Sequence, residues 1–117
     1  MRYALIAAVT ACLALPSIAA AEGLPVPPHD VDRACASLRD KGLIASCVRD
    51  EQFSYDVVTS VWGRLSPARQ RESYKFASEQ GSTYHAFYKS LSLFVTTQAQ
   101  MQQQDDDAVR PVPRFQR

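Results

Sequence analysis

The residues able to do chemistry in this chain are few. It has two histidines, His29 and His85, and three cysteines, Cys12, Cys35 and Cys47. Nucleophilic catalysis needs a base held beside a nucleophile. His85 is the best base, flanked by Tyr84 and with several serines nearby. The helical period puts it opposite Phe87 and Leu91, so it is expected in solvent. His29 follows two prolines and is expected in solvent too. Asp50, Glu51 and Asp56 offer a carboxylate cluster for acid–base work. The simpler expectation is a solvated helix face, with Asp56 paired to a base such as Arg49 or Arg33. A metal site needs more ligands than these, and neither C-x-x-C nor H-x-x-x-H spacing occurs. Gly-rich phosphate loops, nucleotide motifs and haem-attachment motifs are absent from the sequence. The reading is therefore non-enzymatic, with no catalytic residue, metal or cofactor assigned.

Binding chemistry has three candidates. Arg64, Arg69, Arg71 and Lys75 form a basic run suited to an acidic partner or an anionic polymer, against the alternative of a solvated face. Trp62 has the residue type of a binding hot spot, but its spacing from Tyr55 and Val48 predicts core packing. At the C-terminus an acidic block, Asp105 to Asp107, precedes Arg110-Pro111-Val112-Pro113-Arg114. That segment has the composition of a docking peptide, against the alternative of a fraying terminus.

Compartment decides how the cysteines are read. Residues 1–21 have the form of a secretory signal peptide: basic Arg2, an apolar run from Tyr3 to Leu15, Pro16, then small residues ending at Ala19 and Ala21. The run falls short of the ~20 residues a spanning helix needs. Val9-Thr10-Ala11-Cys12 has the residue types of a lipobox. The apolar run continues past Cys12, however, which favours cleavage after Ala21 and loss of Cys12. The expected protein is then periplasmic or secreted. Lys and Arg number 13 and Asp and Glu 12, so losing Arg2 leaves the charge balanced. A balanced chain has no global field for nucleic acid, and without its leader it has no segment for stable membrane insertion. Cys35 and Cys47 remain, and an even count in an exported chain predicts a disulfide. Closing so short a loop stabilises a fold by ~3 kcal/mol in the chain-entropy model.

The elements that must position these residues follow from caps and periods. Residues 22–29 are a proline-rich, extended leader. Asp30 caps a first helix over Val31 to Asp40, ended by Lys41-Gly42. A second helix spans Leu43 to Arg64, with Ile44, Val48, Tyr55, Val58, Trp62 and Leu65 at helical spacing. Phe53, Val57 and Val61 widen that stripe, which predicts a central helix covered on two sides. Ser66-Pro67 opens a third helix that runs to Glu79 and stops at Gly81. Ser82 is expected to cap a fourth from Thr83 to about Gln100, apolar along Tyr84, Phe87, Tyr88, Leu91, Phe94 and Val95. The expectation is an all-α domain over residues 30–104, a three- to four-helix bundle, with a disordered tail over 105–117. Cys35 and Cys47 are equidistant from Lys41, the arrangement of a disulfide-stapled antiparallel helical hairpin.

The stretch Cys47-Val48-Arg49-Asp50-Glu51-Gln52-Phe53-Ser54-Tyr55-Asp56, continued to Trp62, resembles small exported four-cysteine helical proteins of alphaproteobacteria. These carry a C-x-x-x-E-Q-x-A-x-D-x-L-x-x-x-W pattern, a second cysteine pair and a closing S-Y-x-x-L-x-x-C-L. Thr83-Tyr84-His85-Ala86-Phe87-Tyr88-Lys89-Ser90-Leu91 is similar to the closing motif. The resemblance covers Cys35 to Leu91 and implies that Ser73 and Ser90 replace the second pair together. It implies no activity. The role expected is a small exported accessory or protein-interaction module with an envelope or extracellular protein partner. The alternative, resting on size, export, helicity and paired cysteines, is a periplasmic inhibitor of a cell-wall enzyme such as lysozyme.

Overall fold

The computed structural model describes residues 23–110. Residues 1–22, which hold the expected signal segment and Cys12, and residues 111–117, the end of the tail, lie outside them. The described residues are all-α, with four helices: α1 (Val31–Ala36), α2 (Lys41–Trp62), α3 (Pro67–Gln80) and α4 (Phe87–Ala108). None of the described helices is long and apolar enough to cross a membrane.

The first two helices are set by aspartates. Asp30 caps α1 by accepting from the Arg33 amide at 3.1 Å. Asp40 caps α2 by accepting from the Leu43 amide at 2.9 Å. The turn between them differs from the expectation of a stop at Gly42. α1 ends at Ala36, the left-handed residue is Arg39 (φ 64°), and Gly42 lies inside the first turn of α2. The preference of Asp40 for an N-cap outweighs the preference of Gly42 for a helix end. The Cys35–Cys47 disulfide joins the two helices, with the Cα atoms 5.7 Å apart. It forms the stapled hairpin expected from the sequence.

Ser66 caps α3 through the Arg69 amide, Pro67 takes the first turn, and Gly81 ends the helix at φ 82°. A side chain at that φ would be strained. The fourth helix departs from expectation at both ends. Ser82 caps nothing; residues 82–86 form turns, and α4 starts at Phe87 without a cap from its own chain segment. It also continues through the acidic block to Ala108, past the boundary expected at residue 104. Side chains hold that extension: Arg69 reaches Asp105 at 2.6 Å, and Gln103 donates to Asp107 at 3.0 Å.

The register follows from the bonds between helices. Glu51 meets Tyr88, and Gln102 donates to the Arg64 carbonyl, so α2 and α4 run parallel. Arg69 meets Gln98 while Phe76 stacks on Phe94, so α3 runs antiparallel to α4. α4 packs along both α2 and α3, whereas α2 meets α3 at its last residue, where the Trp62 ring lies 5.8 Å from that of Tyr74. The wide stripe on α2 is used only in part: Val61 is buried, Val57 half-buried and Phe53 71% exposed. The core combines Val58, Val61, Trp62 and Leu65 of α2 and its exit turn with Ala77 of α3 and Phe87, Tyr88, Leu91 and Val95 of α4.

Candidate binding surface around the proline-rich segment

Residues 24–29, expected as an extended leader, belong to no helix or strand and form a strap lying across the long helices. Prolines explain how it is fastened. A prolyl residue has a carbonyl and no N–H, so a strap of this kind mainly needs donors. The helices supply them. The Trp62 indole donates to the Leu24 carbonyl at 2.6 Å, the Tyr74 hydroxyl to the Pro25 carbonyl, and the Tyr88 hydroxyl to the Pro27 carbonyl at 2.9 Å. Gln70, only 4% exposed, accepts from the Leu24 amide at 2.9 Å and donates to the Trp62 carbonyl at 3.0 Å. The main chain of Leu24 is thus held on both sides. Pro27 is buried, and Val26 packs against the core.

Burial pushes the Tyr88 hydroxyl up to about 12, with nearby Tyr55 and Glu51 acting in the same direction. Burial also raises Tyr74. Both shifts extend to higher pH the range in which the phenols stay neutral and can donate to the strap.

His29, expected in solvent, is packed. Its ring stacks on Phe87 at 4.1 Å, nearly parallel, and meets Tyr88 edge-on. Nε2 lies 2.9 Å from the Tyr84 carbonyl. A carbonyl only accepts, so Nε2 carries the proton there. A cleft of about 510 Å³ opens on the α3 side of the strap, lined by Pro28, His29, Arg33, Tyr74 and Ser82 among others. A second, of about 440 Å³, opens on the α2 side, with Val48, Gln52 and Tyr55 facing His29. Both volumes lie within the range of small-ligand sites.

Glu51 corrects another expectation. Instead of joining a solvated acidic face it is 2% exposed. Its carboxylate accepts from the Tyr88 amide at 2.6 Å and the Lys89 amide at 3.1 Å. It caps α4 from another helix, where the orphan amides and the helix dipole favour an anion. Asp50 and Asp56 are exposed as expected. Asp56, however, accepts from Gln52 at 3.0 Å rather than pairing with Arg49 or Arg33. Its i−4 neighbour is simply nearer.

The basic run does not act as one patch. Arg69 is bound to Gln98 at 2.7 Å and Asp105 at 2.6 Å, with 19% of its side chain exposed. Arg64, Arg71 and Lys75 are exposed, the last two one turn apart on α3. Trp62 is core, as expected, at 6% exposure. His85 is exposed on the turn before α4. The Cys47 sulfur lies 3.5 Å from the His85 carbonyl, a contact only, since an oxidised sulfur has no proton. Ser73 is fully buried and donates to the Arg69 carbonyl at 2.8 Å, and Ser90 is half-buried. Among the described residues, no group of His, Cys, Asp and Glu is arranged to hold a metal.

Comparison with known proteins finds no matching family model, curated protein or solved structure.

Proposed function

We propose that this chain works outside the cytosol, in the periplasm or as a secreted protein, as a small non-enzymatic accessory or protein-interaction module. One observation carries the reading: the buried polar side chains are tied into structural bonds, His85 stands exposed on a turn, and large apolar side chains face outward. His29 Nε2, Glu51, Gln70, Arg69 and the Tyr88 hydroxyl all hold the fold together. Phe53 and Leu93 stand 71% and 67% exposed. The disulfide agrees with an oxidising compartment. Membership among the exported four-cysteine proteins belongs to the same proposal, with Ser73 and Ser90 in place of the second pair.

Photo-cross-linkers placed at Phe53, Leu93 and Arg71 test the reading in the cell envelope. A discrete adduct with one protein from at least one position is the expected result. Absence of adducts from all positions, or retention of the protein in the cytosol, would overturn it. Inhibition of a cell-wall enzyme such as lysozyme is a special case. There, equimolar mixing slows lysis of cell walls; an unchanged rate removes that partner class.

A further inference from the structure

We propose that the groove formed by Trp62, Gln70, Tyr74 and Tyr88 is a receptor for an extended, proline-containing segment of another protein, occupied in cis by residues 24–28. The proposal rests on the protein-interaction reading above and names the chemistry of the partner.

The bonds carry the argument. The donors of Trp62, Tyr74 and Tyr88 and the acceptor of Gln70 all address main-chain atoms of the strap: the Leu24 carbonyl and amide, and the Pro25 and Pro27 carbonyls. The groove reads main-chain groups. Prolines suit it because they fix φ and bring no N–H that would stay unpaired where the groove offers donors. Aromatic-lined grooves recognise proline-rich segments on this principle. Leu24-Pro25-Val26-Pro27-Pro28 is itself the pattern that fits.

The strap is also placed to leave. It joins the fold at Asp30, the cap of α1, and among the described residues the first covalent cross-link is downstream at Cys35. Among the described residues its departure breaks no disulfide and unwinds no helix. Leu24, Pro25 and Pro28 are exposed, and clefts of about 510 and 440 Å³ flank its Pro28-His29 end. The strap therefore competes with a partner segment, and loosening it raises apparent affinity for that segment.

The test titrates the peptide Gly-Leu-Pro-Val-Pro-Pro-His into the full mature protein. The readout is the NMR signal of the Trp62 indole N–H, the only tryptophan in the chain. Wild type responds weakly at about 1 mM, because the cis strap competes. Pro25→Gly leaves every groove donor in place and frees the open strap, so apparent affinity rises roughly fivefold. Val26→Gly serves the same purpose if Pro25→Gly changes the helical circular dichroism. A peptide with glycine for each proline leaves the signal unmoved. The proposal is overturned if the indole signal ignores peptide in wild type and in a folded strap variant, or if the glycine peptide binds equally. Peptide-free dimers with an altered indole signal would assign the groove to a second copy and also overturn it. Adducts at Phe53 or Leu93 alongside a silent groove would sink this proposal and leave the interaction reading standing.

Discussion

Glu51 is the residue on which the start of α4 depends. Ala86 precedes that helix and provides no capping side chain. The amides of Tyr88 and Lys89 instead bond to a carboxylate one helix away. Removing it leaves a buried amide and a helix N-terminus without their anion. Glu51→Ala is expected to cost ~2–3 kcal/mol, read as a fall in Tm of roughly 10–20 °C. Glu51→Gln keeps an acceptor and is expected to lose about half as much. Equal Tm values for wild type and Glu51→Ala would refute the cap. The sequence contained a signal for this residue that local reasoning passes over. Glu51 falls three residues after Val48 and four before Tyr55, on the apolar stripe itself. An acid in that register is either misplaced or buried with partners, and the partners lie 37 residues away in the chain. Gln70 is a similar case: nothing near it in sequence says that its amide bridges the strap and Trp62.

At the scale of elements, what was legible followed local chemistry. Aspartate and serine caps, Pro67 at a first turn and Gly81 after a last turn all act within a few residues. α2 and α3 accordingly match their expected spans closely. The hairpin was legible because the cysteine spacing and the turn point to the same pairing. α4 was displaced because Ser82 is a good cap in isolation, whereas Glu51 is a better one available only after folding. The tail boundary moved for the same reason: Arg69 on α3 neutralises Asp105 and stabilises the helix through a like-charge block. These elements differ in how they are secured. α1 has six residues, too few to persist alone, and it depends on the bridge to α2. Replacing both Cys35 and Cys47 by serine is expected to cost ~2–4 kcal/mol, measured by urea unfolding of the oxidised parent against the variant. A loss below ~0.5 kcal/mol would mean that the strap and Asp30 hold α1 unaided.

The described fold is closed along one seam, in which two of the bonds are made by hydroxyl protons. The strap spans from the exit of α2 to the start of α4, and Tyr74 and Tyr88 fasten it to α3 and α4. A phenolate cannot donate, so these bonds exist only while the tyrosines are neutral. Tyr88 is raised from 10.0 to about 12 in the folded protein. Between those values the unfolded chain has lost the proton and the folded chain has kept it. Fewer protons are bound in the unfolded state, so stability falls as pH rises through this window. Below about pH 10 the contribution of Tyr88 is complete; near pH 12 it is gone. Tyr74 is shifted in the same direction and adds to the slope. Urea midpoints taken at steps across this range should fall steadily, with Trp62 fluorescence reporting the loosening of the strap beside its indole. Tyr88→Phe should begin at a lower midpoint and decline less steeply, because the titrating proton has been removed along with the bond. Parallel declines for wild type and Tyr88→Phe would place the alkaline limit elsewhere in the molecule and separate the seam from the stability of the bundle.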